Sequence, residues 1–217
     1  MSKARAVLFD LDGTFADTAP DLGRALNRLR AEQGLGPLAI GIMRSRASSG
    51  ARGLLNAGFG LTPESEGYKA LRDRFLELYA ENLCVETRLF DGIPELLSTI
   101  ETRKLPWGIV TNKAKRFTDP LLERLGFAKR TACVVSGDST PHIKPHPAPL
   151  LLAASLLDLP PAACIYLGDD LRDAQAARAA GMRFAAAGWG YLGEAADPRT
   201  WDAEAVVSHP RDVLSLI

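Results

Sequence analysis

From Ile93 onward the chain alternates short apolar runs with amphipathic helical stretches, and this alternation restricts its fold more than any other feature. Apolar residues recur at helical spacing over Ile93–Thr102, Lys115–Leu125, Pro149–Leu157 and Leu171–Ala180. Between and after them lie the apolar runs Trp107–Thr111, Ala132–Val135, Cys164–Leu167 and Phe184–Ala187. A last strand is predicted at Ala205–Val207 and a terminal helix at Arg211–Ile217. One more buried run, Ala6–Asp10, stands near the N-terminus and ends at an acid. Strands separated by helices pair in parallel, with right-handed crossovers and helices on both faces. The expected class is α/β, with a doubly wound, Rossmann-like parallel sheet as its core.

The residues between the first strand and this region read differently. Leu22, Ala25, Leu26 and Leu29 repeat at helical spacing within Asp21–Glu32. Leu54 and Leu55 sit in a short helical piece, and Tyr68, Leu71, Phe75, Leu78 and Tyr79 place a long helix over Glu64–Asn82. No alternating strand pattern interrupts them. We therefore expect an all-helical cap domain, residues 17–88, inserted into a core made of 1–16 and 89–217. A chain of 217 residues suits one large domain with such an insertion. Gly188–Ala203 is expected to be a long surface loop.

Lys and Arg together number 26, as do Asp and Glu, so the chain lacks the basic footprint of a nucleic-acid binder. No apolar run approaches the ~18 residues of a membrane span, and the N-terminus does not read as a leader. Cys84, Cys133 and Cys164 suit neither a disulfide framework nor a zinc site. They read as small buried hydrophobes in a reducing compartment. The expectation is a cytoplasmic protein, a monomer or weak homodimer, with no nucleic-acid or membrane partner.

In open parallel sheets, ligands bind at the carboxyl ends of the strands. There the sequence places Asp10, Asp12 and Thr14 after the first strand, and Thr111-Asn112-Lys113 after the next core strand. Lys144-Pro145 follows Ser136, and Gly168-Asp169-Asp170 ends another strand, with Asp173 one turn later. Several acids on one sheet edge repel unless compensated. A hard divalent cation answers this, and Mg²⁺ takes carboxylate together with phosphate oxygens.

These four segments, in this order and at these strand ends, resemble the motifs of the haloacid-dehalogenase-like hydrolases. Asp10-Leu-Asp12-Gly13-Thr14 is similar to the first motif, Thr111-Asn112-Lys113 to the second, Lys144-Pro145 to the third and Gly168-Asp169-Asp170-x-x-Asp173 to the fourth. Along its length the chain resembles the phosphoglycolate phosphatase group. Val110–Lys113, Gly168–Asp173 and Gly188-Trp-Gly-Tyr191 look most like phosphatases of N-acetylmuramic acid 6-phosphate, which serve peptidoglycan recycling. The resemblance implies a Mg²⁺-dependent phosphatase acting through an aspartyl-phosphate. Its substrate would be a small phosphorylated metabolite carrying a carboxylate, N-acetylmuramic acid 6-phosphate or 2-phosphoglycolate. Asp10 would attack phosphorus, and Asp12 would serve as general acid and then base. Thr111 would bind a phosphoryl oxygen and Lys144 would neutralise charge. Asp10, the Asp12 carbonyl and Asp169 would hold the metal. Asp173 would orient that shell, while Asp170 is left open. To act as an acid, Asp12 would need a pKa raised from about 3.9 by burial or by Asp10.

Thr14 and Asn112 are further candidates for substrate contact, although Asn112 reads equally well as a residue satisfying the backbone. In the helical insertion, Ser48-Ser49-Gly50-Ala51-Arg52-Gly53 begins a helix, and such an end favours anions. Gly50 and Arg52 are its substrate-binding candidates, with Arg44 and Arg46 weaker. The bland reading of Arg52 is a solvated arginine in a hinge. Phe15 is expected to pack under the hinge. His142 and His209 are read as solvated and His146 as a surface-loop residue. Trp189 and Tyr191 are read as loop anchors before entrance residues. Two other functions share much of this pattern. A phosphomutase of the same superfamily would carry every motif and differ in the cap. A receiver-like phospho-acceptor module would place its paired acids and its acceptor differently, and would retain its phosphate.

Overall fold

A computed structural model describes residues 3–193 and 197–217. Strand β1 (Ala6–Phe9) is wholly buried because it lies inside the sheet, between β4 (Trp107–Val110) and β6 (Cys164–Gly168). Before them in the chain come β2 (Ala16–Asp17) and β3 (Arg88–Leu89), a short antiparallel ribbon. The sheet is completed by β5 (Cys133–Val135), β7 (Arg183–Ala187) and β8 (Ala205–Val207), in the order β5-β4-β1-β6-β7-β8. Every pairing in it is parallel, with Val7 opposite Trp107 on one side and Ile165 on the other.

Successive strand residues point to opposite faces, and β1 shows the result. Val7 and Phe9 enter one apolar cluster, Ala6 and Leu8 the other. The first cluster takes in α5 (Ile93–Thr102) and α6 (Lys115–Arg124) through Leu96, Leu97, Phe117 and Leu121. The second takes in α7 (Ala148–Leu156) and α8 (Leu171–Ala180) through Leu150, Ala153, Ala174 and Ala177. Two covered faces explain why the strands read as unbroken apolar runs. Full burial of a Leu or Phe side chain contributes about 1.5–3 kcal/mol. The doubly wound α/β core is thus as expected.

Four helices separate the ribbon strands: α1 (Ala19–Glu32), α2 (Ile40–Ala47), α3 (Gly50–Phe59) and α4 (Tyr68–Glu81). The ribbon joins them to the sheet domain's chain at both ends. Beside it, the buried Asp21 carboxylate accepts hydrogen bonds from the backbone of Val85, Glu86 and Thr87 and from the Thr87 hydroxyl, at 2.7–3.1 Å. The incoming and outgoing chains are thereby tied together.

Several local expectations need correction. The long helix of the insertion starts at Tyr68, not Glu64, because Gly67 before it adopts φ 77°. The terminal helix is a 3₁₀ turn, Pro210–Ser215, whose first amides are capped by the ring of His209. That ring is half-buried, not solvated. Phe15 packs deeper than a hinge position, against Phe9, Trp107 and Phe127 with ring centroids 5.3–5.7 Å apart. The loop 188–203 is not all surface: Tyr191 and Trp201 are buried, while 194–196 lie outside the described residues. Cys133 and Cys164 are buried, but Cys84 is only half-buried. Among the described residues no helix is long and apolar enough to cross a membrane.

Candidate active site

The sheet order reverses at β1, since the chain reaches β4 on one side and β6 on the other. Beyond the carboxyl ends of those strands lies the natural crevice of such a fold. Asp10, Thr111 and Asp169 stand there, one at the end of each strand.

Lys144 reaches the same point from the loop after β5. Its ammonium lies 2.9 Å from Asp10 Oδ1 and 2.7 Å from Asp173 Oδ1. It also donates to Tyr166 Oη at 2.6 Å and to the Val110 carbonyl at 3.2 Å. Burial opposes its charge, but Asp10 and Asp173 outweigh that and hold its pKa above the ordinary lysine value. Asn112 fixes the loop. Its amide donates to the Lys144 carbonyl at 3.0 Å and accepts from the Lys144 backbone N–H at 2.9 Å. Both ends of that side chain therefore serve the backbone. The Asp10 carboxylate is pushed up to about 7, first by burial and then by Asp173, with Lys144 opposing. Its Oδ1 takes the Lys144 contact and a 2.8 Å bond from the Leu11 amide. Among the described residues Oδ2 has no hydrogen-bond partner.

Asp169 is completely buried and has no cation against it among the described residues. Three donors fix it: the Thr14 hydroxyl at 2.9 Å, the Ser48 hydroxyl at 3.0 Å and the Tyr191 backbone N–H at 2.9 Å. Thr14 therefore reaches Asp169 with the hydroxyl expected to meet substrate. Burial, then the charges of Asp10 and Asp173, drive the Asp169 pKa well above the usual carboxylate range. Gly13 and Gly190 allow this packing, because a Cβ on either would collide with the Asp169 side chain.

Oxygens of Asp10, Asp169 and Asp173 lie within 4.8 Å of one another. Three buried carboxylates facing one lysine form a hard-oxygen donor set short of positive charge, and that set fits a divalent metal ion. The carboxylate of Asp12, another expected ligand position, turns elsewhere, which leaves only its main chain for that role. Asp12 accepts from the Thr18 hydroxyl at 2.5 Å and from the Lys113 ammonium at 2.9 and 3.1 Å. Lys113 is itself nearly buried and lies 4.9 Å from the centroid of the Tyr79 ring. Sequence reasoning quoted Lys113 within a motif but gave it no part.

The helical insertion lies over this crevice. Arg172 of α8 pairs with Asp170 at 2.7 Å and donates to the Ser48 carbonyl at 2.9 Å. Asp170 is therefore an anchor for Arg172, another residue that sequence reasoning missed. A pocket of about 620 Å³ remains between the two layers. Its floor includes Asp10, Asp12, Thr111 and Lys144, while Gly50, Arg52 and Arg72 come from the insertion and Arg116 from α6. Phe75, Tyr79 and Phe117 form an apolar wall. Arg44 does not line the pocket; it pairs with Asp17 at 2.8 Å and lies over the Tyr191 ring. Arg46 and His146 do not line it either. The Tyr191 hydroxyl accepts from the backbone N–H groups of Thr18 and Ala19 at the start of α1, and Trp189 donates to the Thr14 carbonyl. Both aromatics hold the loop in place.

Residues 7–187 match the family model described as haloacid dehalogenase-like hydrolase. The chain belongs to that family. It is 43% identical over 215 residues to the N-acetylmuramic acid 6-phosphate phosphatase of Pseudomonas putida, covering 99% of this chain and 96% of that protein. It is 41% identical over 206 residues to a phosphoglycolate phosphatase of Xanthomonas campestris, covering 95% and 93%. Among solved structures, a predicted phosphoglycolate phosphatase from Haemophilus somnus superposes with a TM-score of 0.87 at 25% identity, covering 99% of this chain and 98% of that one. This member of the family is a phosphatase, a phosphoric monoester hydrolase.

Proposed function

We propose that the protein is a Mg²⁺-dependent phosphatase that works through an aspartyl-phosphate on Asp10, with N-acetylmuramic acid 6-phosphate as its best substrate. The observation that carries this reading is the 620 Å³ pocket joining the Asp10 floor to cap arginines. That volume lies within the range of about 300–1,000 Å³ that encloses drug-sized ligands. A pocket of that size has room for an N-acetylated sugar phosphate, whereas 2-phosphoglycolate would leave most of it to water. Residues 17–88 act as the cap that closes over the bound ester.

Asp10 Oδ2, free of hydrogen bonds among the described residues, attacks phosphorus while Lys144 and the Leu11 amide hold Oδ1. The ester P–O bond breaks, and Asp12, which must carry a proton at that step, gives it to the departing oxygen. Thr111 Oγ1 accepts from the Lys113 amide at 3.1 Å, which leaves its own hydrogen for a phosphoryl oxygen. Asp12 then takes a proton from the water that displaces Asp10 from phosphorus. Mg²⁺ held by Asp10, Asp169 and the Asp12 carbonyl, with Asp173 beside them, would offset charge on the phosphoryl oxygens. The buried Lys113 and Thr18 hold the Asp12 carboxylate in one place for both proton transfers. Asp12→Asn retains two oxygen- and nitrogen-bearing ends of the same shape. We expect it to fold normally and to lose at least about 10²-fold in kcat; near-normal phosphate release would remove Asp12 from this role.

Arg52 is exposed and lines the pocket, and the nearby acid that feels its charge is Glu64. Arg52 is positioned to receive the substrate carboxylate. Arg52→Ala should raise KM for N-acetylmuramic acid 6-phosphate about tenfold, as loss of one charge-assisted contact, with kcat little changed. Unchanged KM would make it a solvated surface residue.

The test of the whole reading compares kcat/KM for N-acetylmuramic acid 6-phosphate and 2-phosphoglycolate, with Mg²⁺ and with a chelator. A preference of about a hundredfold or more for the sugar acid is expected, together with loss of turnover on chelation. The reverse preference would mean that the cap closes down on a small substrate. Release from neither would bring the phosphomutase reading forward.

A further inference from the structure

Tyr79 lies on α4, in the apolar stripe that faces the core, and only 1% of it is exposed. Its ring meets Phe117, with centroids 5.5 Å apart, and its face lies under the Lys113 ammonium. Packing accounts for the ring. It does not account for the hydroxyl. Among the described residues, Tyr79 Oη is the one buried side-chain oxygen or nitrogen without a hydrogen bond of good geometry; the Lys113 ammonium beside it can only donate toward the oxygen, which leaves the phenol hydrogen without an acceptor. Burial also pushes its pKa up to about 12, so the group is a neutral phenol with a proton to donate.

An unpaired buried hydroxyl costs stability, and native proteins keep few of them. Phenylalanine would fill the same space without that cost. The surroundings of the ring are not wholly apolar, because Tyr79 lines the pocket together with Asp12 and Lys113. Asp12 marks the side on which the leaving group departs. We propose that the Tyr79 hydroxyl is a substrate-binding group, which donates a hydrogen bond to an oxygen of the leaving group close to the ester linkage. The acceptor is a hydroxyl, ring, carbonyl or carboxylate oxygen. Esters whose leaving group lacks such an oxygen leave the phenol unpaired and gain nothing from it. Tyr79 thus selects among phosphomonoesters from the cap side, while the floor residues treat the phosphoryl group alike in all of them. This inference rests on Asp12 being the proton donor to the leaving group.

Tyr79→Phe tests it. The probes are N-acetylmuramic acid 6-phosphate, 2-phosphoglycolate, glucose 6-phosphate and phenyl phosphate. The last has no polar substituent on its leaving group. For the oxygen-bearing esters kcat/KM should fall about tenfold or more, the scale of one lost hydrogen bond. For phenyl phosphate it should change less than about threefold. The melting temperature of the ligand-free variant should be equal to or above that of the parent, because an unpaired polar group has been removed. An equal loss on all four esters, or a lowered melting temperature, would make Tyr79 a packing residue and overturn the proposal. No loss on any ester would overturn it too. Should the parent prefer neither carboxylate-bearing ester over phenyl phosphate, the substrate reading above fails separately. The glucose 6-phosphate to phenyl phosphate ratio in the variant then still decides the role of Tyr79.

Discussion

Asp10→Asn is expected to give a folded protein whose turnover is lower by about 10⁴-fold or more. Losing the nucleophile of a hydrolase that works by covalent catalysis costs on the order of 10⁶ in kcat, because the steps that follow depend on it. Here nothing else in the pocket floor can replace it. Asp12 is tied to Lys113 and Thr18, and Asp169 is buried beneath three donors. The fold should survive for a stated reason. The folded-state pKa of Asp10, about 7, lies above its ordinary 3.8. Between those values the folded state holds the extra proton, so stability falls as pH rises from about 4 to 7. Above pH 7 the parent carries a destabilising buried charge that asparagine does not. At pH 8 without metal, Asp10→Asn should therefore melt at or above the parent temperature. A large drop in melting temperature together with lost activity would mean that Asp10 is structural.

Lys144→Met is expected to damage both stability and turnover. Its ammonium is the cation against Asp10 and Asp173, and it is almost completely buried. Removing one partner of a buried ion pair costs about 3–5 kcal/mol. For a chain of this size that corresponds to roughly 6–20 °C in melting temperature. The sign with pH is definite. The raised pKa of Lys144 keeps it charged throughout pH 5–8, so its contribution in the parent is complete there. In the variant Asp10, already pushed up by burial, can shed its penalty only by taking up a proton. The gap in melting temperature between parent and variant should therefore widen from pH 5 to pH 8. A constant gap would show that Lys144 acts through packing. Turnover should fall by at least about 10²-fold, as for loss of one preorganised charge-stabilising donor.

The core was legible because β1, β4 and β6 are covered on both faces and so appear as apolar runs ending in polar residues. Asp10, Thr111 and Asp169 follow directly from where those runs stop. Other features were hidden for physical reasons. The ribbon of β2 and β3 is too short to show a periodicity. Lys113 was visible as a residue, but its partner Asp12 lies 101 positions away, and no spacing rule links them. Arg172 crosses to the Ser48 carbonyl, a backbone acceptor that any sequence offers. Asn112 and Thr14 were read by residue type as polar groups at a strand end, whereas the fold uses both internally. Tyr79 was read as one more member of an apolar helical stripe. A pocket wall and a core wall have the same composition, and only the unpaired hydroxyl separates them.

The most direct test of the account is to find where phosphorus resides during turnover. Asp12→Asn slows the water step, so it should accumulate the covalent species when given p-nitrophenyl phosphate, whose good leaving group departs without a proton donor. Acid-quenched protein, digested and weighed by mass spectrometry, should carry one phosphoryl group on the peptide that begins the chain, and fragmentation should assign it to Asp10. The label should be absent from Asp10→Asn treated in the same way. Phosphorylation of any other residue, or burst-free turnover with no labelled peptide, would contradict the assignment of Asp10 as the nucleophile.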